Sequence, residues 1–150
     1  MKAAVYEGKK AIKMTELPTP KAGPNDVVIQ NIYAGICGSD IAVYNHGSGT
    51  GHKIEAVSKV VEVGDDVHDF KIGDRVYPYP LLARGDPSRA GSMGGFSEYI
   101  LIPNAKLNRQ LYLVPKEIDN HVAAMIEPFT VGTRAAKQTR PDKNDNAIVY

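Results

Sequence analysis

The 150 residues include one cysteine, three phenylalanines and no tryptophan. A lone thiol closes no internal disulfide, which fits a reducing, cytoplasmic setting. No run approaches the roughly 20 apolar residues of a membrane span, and Met1-Lys2-Ala3-Ala4-Val5-Tyr6 lacks the apolar stretch of a secretory signal. An excess of one charge is also missing: 18 Lys and Arg stand against 17 Asp and Glu, for a net +1. Nothing therefore argues for a nucleic-acid or membrane partner. Internal repeats, heptads and low-complexity tracts are absent.

Turn formers are abundant, with 14 Gly and 10 Pro dividing a Val-, Ile- and Tyr-rich chain into short pieces. The length suits one domain with a real core. The pattern predicts many short strands joined by turns, mainly β with some α. Strands are expected at 2–7, 11–16, 26–34, 56–63, 70–78, 95–103 and 111–115. The run Asp26 to Ala34 is β-branched and continuous, as in a buried strand. A short helix is expected over 38–45, opened by Ser39 or Asp40 as N-cap. Two more are expected over 119–125 and 131–138, separated by Glu127-Pro128-Phe129. Residues 46–52 read as a Gly-rich loop and 83–95 as a polar, Gly-rich lobe. Residues 141–145 form a polar linker, and 146–150 read as the opening of an apolar strand.

Cys37 stands in Gly35-Ile36-Cys37-Gly38-Ser39-Asp40. A thiolate between glycines, followed by a hydroxyl and a carboxylate, suits a metal held beside a reacting alcohol. A lone cysteine is also commonly a small buried hydrophobe, Ser39 a helix cap, and Asp40 a helix-start acid favoured by the dipole.

That run is followed in order by Val60-Val61-Glu62-Val63-Gly64, Phe70-Lys71-Ile72-Gly73-Asp74-Arg75-Val76, Gly95-Phe96-Ser97-Glu98-Tyr99 and Ile126-Glu127-Pro128. The series resembles the N-terminal, GroES-like catalytic domain of zinc-dependent medium-chain alcohol dehydrogenases, in the sorbitol and threonine dehydrogenase branch. The resemblance runs from Lys2 to about Arg140. It implies a distorted β-barrel with peripheral helices over 1–140. Residues 141–150 would then be a linker and the first strand of a nicotinamide-binding Rossmann domain that is absent here. The chain has no GxGxxG and offers no cofactor-binding residues.

The same resemblance implies a catalytic zinc that stabilises the alkoxide of a secondary alcohol or polyol while hydride passes to NAD(P). Cys37 matches its first ligand. Ser39 matches the hydroxyl that takes the alcohol proton, and Asp40 a carboxylate that orients the ligating histidine. Glu127 matches a third ligand, with a carboxylate where better-known alcohol dehydrogenases use cysteine. Glu55 matches the glutamate of Gly-His-Glu, in the first or second shell. Ile54, however, stands where the histidine belongs and Lys53 where the glycine belongs. The stretch from Cys37 to Glu55 is shorter than usual in the family. The expectation is a segment missing between Ile54 and Glu55, with His52 the only nearby substitute. Without that histidine, zinc binding should be weak or absent. The lobe carries no cysteine, so no structural zinc is expected, and it should be among the more mobile regions.

His46, His68 and His121 have no spacing that suggests a site, and Arg75 reads as structural. As written, the chain alone is expected to be inactive. A full-length relative should form a homo-oligomer through its Rossmann half, and the isolated domain a monomer. Two other readings remain. One is a zinc-free, quinone-reductase-like relative, distinguished by elemental analysis for zinc. The other is a non-catalytic GroES-like binding module, distinguished by a chaperonin-binding assay.

Overall fold

The computed structural model describes residues 1–47, 55–80, 82, 95–146 and 148. Among these described residues, seven strands and three helices follow in chain order. Strands β1 (Lys2–Gly8) and β2 (Ala11–Glu16) form an antiparallel hairpin. The others are β3 (Val27–Ala34), β4 (Ala56–Val63), β5 (Arg75–Pro78), β6 (Tyr99–Ile102) and β7 (Leu111–Leu113). They make one five-stranded sheet in the order β6-β3-β4-β5-β7, every pair antiparallel. The expected β-rich architecture with helices at its edge is present.

The composition of β3 explains its central place. Val27, Val28 and Ile29 are almost wholly buried, as a strand covered on both faces requires. Val27 and Ile29 join Val60, Val76, Ile100, Ile102 and Leu111 in the main core cluster. Val28 packs on the opposite face with Leu101. Two register shifts interrupt β3–β4, at Val28/Ile29 and Asn31/Tyr33. Between them the Asn31 amide donates to the carbonyls of Gly95 and Ser97 and accepts from the Ser58 hydroxyl.

The hairpin joins this sheet through a bridge between Ala3 and Ser97 and a 2.8 Å bond from Ala4 N–H to the Phe96 carbonyl. Only 99–102 of the expected strand 95–103 is regular. The preceding residues make isolated bonds to β1 and to Asn31 instead.

Helix α1 (Gly38–His46) rests on the hairpin, with Lys10 N–H donating to the Tyr44 carbonyl at 2.7 Å. It stops at Gly47, whose left-handed φ of 80° lets its N–H reach the Val43 carbonyl. Helix α2 (Asn120–Ala123) is one turn, and α3 (Ile126–Thr139) follows closely. Glu127-Pro128-Phe129 was expected to separate two helices but lies inside the first turn of α3. Proline is tolerated there because its missing N–H has no partner within the helix anyway.

Arg75 is structural, as expected. Its guanidinium donates to the Asn120 side chain and to the Pro115 and Ile118 carbonyls, all at 2.6 Å, fastening α2 to β5. No helix among the described residues is long and apolar enough to cross a membrane. His52, Lys53, Ile54 and nearly all of the 83–95 lobe lie outside the described residues, as does most of 146–150.

Candidate metal centre

The site lies where β3 ends and β4 begins. Ala34 pairs with Ala56, and the ladder continues one step further as a 2.7 Å bond from Gly35 N–H to the Glu55 carbonyl. On the other side of β4, Ser58 pairs with Val76. That register sets Tyr77 opposite Val57. Alternation then gives Glu55, Val57 and Tyr77 one common face. Diagonal neighbours on such a face are about 7–8 Å apart, within reach of an aromatic side chain. Val57 and Tyr77 pack there with Ala123 and Ala124 beneath α2.

Glu55 is 7% exposed. Its carboxylate lies over Gly35, with Oε2 3.7 Å from where a Cβ on that glycine would be. Cys37 follows two residues later and is half-buried. Its extended backbone (φ −83°, ψ 156°) makes it the N-cap of α1. This corrects the expectation of Ser39 or Asp40. Both lie inside the helix, with Asp40 at its third position. Cys37 Sγ accepts the Ser39 N–H at 3.5 Å, and Cys37 N–H donates to Asp40 Oδ2 at 2.8 Å. The pair forms a capping box with sulfur in the place of the usual hydroxyl. Asp40 thus has the helix-start role and fastens the backbone of Cys37.

Glu127 occupies the first turn of α3 and is partly buried. Its charge and that of Glu55 both bear on Tyr77, a residue that sequence reasoning passed over as one aromatic among the strand positions. Only the β4–β5 register picks it out. Tyr77 is 4% exposed, and its hydroxyl oxygen has no hydrogen-bond partner among the described residues. Burial pushes the phenol well above the usual tyrosine range, and the charges of Glu55 and then Glu127 push the same way. The backbone N–H of Glu127 acts in the opposite direction, near the oxygen but outside full hydrogen-bond geometry.

His121, which no spacing had singled out, stacks on Tyr33 with ring centroids 4.3 Å apart. Its Nδ1 lies 3.0 Å from the Asp119 carboxylate. The His121 backbone N–H, and then its ring, hold the Asp119 carboxyl below the usual range.

Among the described residues, no three His, Cys, Asp or Glu side chains group closely enough to hold a metal ion. The donor types nevertheless suit zinc, which accepts thiolate and carboxylate. Glu55 and Glu127 bear on one phenol, and Cys37 stands at the adjoining strand end. The set fits zinc in donor chemistry alone. Among the described residues it is looser than a closed three-ligand site.

Residues 23–115 match the alcohol dehydrogenase GroES-like domain. The chain belongs to that family. This GroES-like domain is 30% identical over 181 residues to (R,R)-butanediol dehydrogenase of Bacillus subtilis (strain 168), covering 100% of this chain and 51% of that protein. It is 31% identical over 166 residues to sorbitol dehydrogenase of the same strain, covering 93% and 46%. The crystal structure of 2R,3R-butanediol dehydrogenase from Bacillus subtilis superposes with a TM-score of 0.71 at 28% identity, over 91% of this chain and 46% of that one. The chain thus spans about half the length of the curated relatives it matches.

Proposed function

We propose that this domain is the substrate and zinc half of an oxidoreductase that transfers hydride from a secondary alcohol or polyol to NAD(P), working in the cytoplasm. The observation that carries the reading is that the charges of Glu55 and Glu127 both bear on one buried phenol, with Glu55 beside Gly35, two residues before Cys37. The butanediol and sorbitol dehydrogenases support the substrate class.

Cys37, Glu55 and Glu127 would hold the zinc. Bound there, the ion would polarise the alcohol oxygen as a Lewis acid. The chain's own residues do the rest. Asp40 anchors the Cys37 backbone, and the capping box sets the direction of the thiol. Ser39, the second residue of α1 and half-buried, receives the alcohol proton through its hydroxyl. These 150 residues carry no GxGxxG loop to hold a nicotinamide cofactor, so by this reading they do not oxidise alcohols on their own. The isolated domain is a monomer, and the whole enzyme a homo-oligomer.

The test is titration of the metal-free chain with zinc, read by elemental analysis after removal of unbound metal, paired with a turnover assay. The reading expects weak zinc uptake by the parent chain, because Ile54 stands where a ligating histidine belongs, its loss in Cys37→Ser, and no reduction of NAD or NADP with butanediol or sorbitol. Parent protein that never takes up zinc, or turnover by the isolated domain, overturns it. A zinc-free relative is the second reading. It is favoured by the absence of a three-donor cluster among the described residues, and zinc-free parent protein would select it.

A further inference from the structure

Tyr77 has a hydroxyl that its position does not explain. The ring packs among Val57, Val114, Ala123 and Ala124, which a phenylalanine would do equally well. The oxygen is enclosed and has no hydrogen-bond partner among the described residues, an arrangement that is unfavourable unless the group is used. Enclosure rules out direct contact with a substrate in the cleft. The ionisable groups whose charges bear on the phenol are Glu55, from the start of β4, and Glu127, from the first turn of α3. Glu55 shares the sheet face of Tyr77 by strand register, whereas Glu127 approaches from a separate helix.

We infer that Tyr77 is a positioning residue whose phenol O–H donates a hydrogen bond to Glu55 when that carboxylate turns towards a cation, leaving the other carboxylate oxygen to face the ion. The inference rests on the zinc reading above. A ligating carboxylate with one oxygen hydrogen-bonded keeps a single orientation, and removing such a partner weakens metal affinity by about 10–100-fold. Tyr77 supplies the donor from a strand that Arg75 already ties to α2, so the phenol is held by the fold.

The experiment compares the parent chain, Tyr77→Phe, Glu55→Gln and the double variant. Zinc affinity is read by competition with a chromophoric chelator, geometry by the visible absorption of the cobalt-loaded protein, and folding by thermal melting. Tyr77→Phe should weaken zinc by about 10-fold, move the cobalt bands and leave the melting midpoint no lower. Glu55→Gln should weaken zinc at least as much, with no further loss in the double variant. Parent-like zinc affinity in Tyr77→Phe overturns the inference and leaves the zinc reading standing. So does an equal loss with and without Glu55, since the phenol would then act elsewhere. A parent chain that binds no zinc overturns the zinc reading first, and this inference with it.

Discussion

The two ends of the β3–β4 pair are built to opposite rules. At the Asp26 end, polar groups are tied down. The buried Asp26 carboxylate accepts N–H groups from Gly23 and Asn104, and its carbonyl accepts from Gly64. The chain is drawn so close that a Cβ on Gly64 would lie 2.0 Å from the Gly23 carbonyl oxygen. At the Cys37 end, a thiol takes one long bond, a phenol oxygen takes none among the described residues, and two acids bear on it. The same two strands thus supply a fastened end that holds the fold and a loosely committed end that is available for chemistry.

The largest break in this contrast should come at the fastened end. Gly64→Ala forces its new methyl into rigid backbone at Gly23 and Pro24. The expected loss is about 3 kcal/mol or more, above the ordinary cost of overpacking because no flexible side chain can yield. Urea denaturation followed by circular dichroism measures it. A loss under about 1 kcal/mol would mean that this end is as yielding as the other.

Paired isosteric changes sharpen the contrast. Asp26→Asn replaces an oxygen facing two N–H groups with an amide that can accept at only one position, so about 2 kcal/mol should be lost. Glu55→Gln removes a charge that bears on a buried phenol and should change stability by less than about 1 kcal/mol. Equal losses in the two variants would erase the distinction between a structural and a chemical carboxylate.

Sequence made the fastened end easier to foresee than the open one. Apolar runs located β3 and β4, because burial is a local signal. Glu55 and Glu127 became site candidates only through motif order, and Cys37, Ser39 and Asp40 gained their proposed roles from it. The cap was misassigned because thiols seldom serve there, and Pro128 was read as a breaker although the first helical turn tolerates it. Tyr77 was invisible in sequence. Its meaning depends on which residue faces it across β4, and strand register is not a local property.

Alkaline pH gives a smaller, graded effect confined to the open end. The folded chain holds the Tyr77 proton more tightly than an unfolded chain, whose tyrosine titrates near 10.0. Stability from this difference is fully present below that pH. It falls as pH rises towards the higher folded value, by at most about 1.4 kcal/mol per pH unit. Metal-free parent protein should therefore lose stability above pH 10 more steeply than Tyr77→Phe, as read by urea midpoints across the range. Parallel pH profiles would show that the phenol is no more perturbed than an exposed tyrosine.

The smallest effect should have the unexpected sign. Cys37 caps α1 with sulfur, a weak acceptor, at 3.5 Å from the Ser39 N–H. Serine has a stronger and shorter-range acceptor and is among the favoured N-caps. Cys37→Ser should hold or raise the stability of the metal-free chain, by up to about 1 kcal/mol. A site kept for helix stability alone would carry serine here, and the proposed zinc role would account for a thiol in its place. Thermal melting with and without zinc separates the two demands. The variant should melt no lower than the parent without zinc and should lose the zinc-dependent increase that the parent shows. A clear loss of stability without zinc would make Cys37 a packing residue and return the open end to the same structural role as the fastened one.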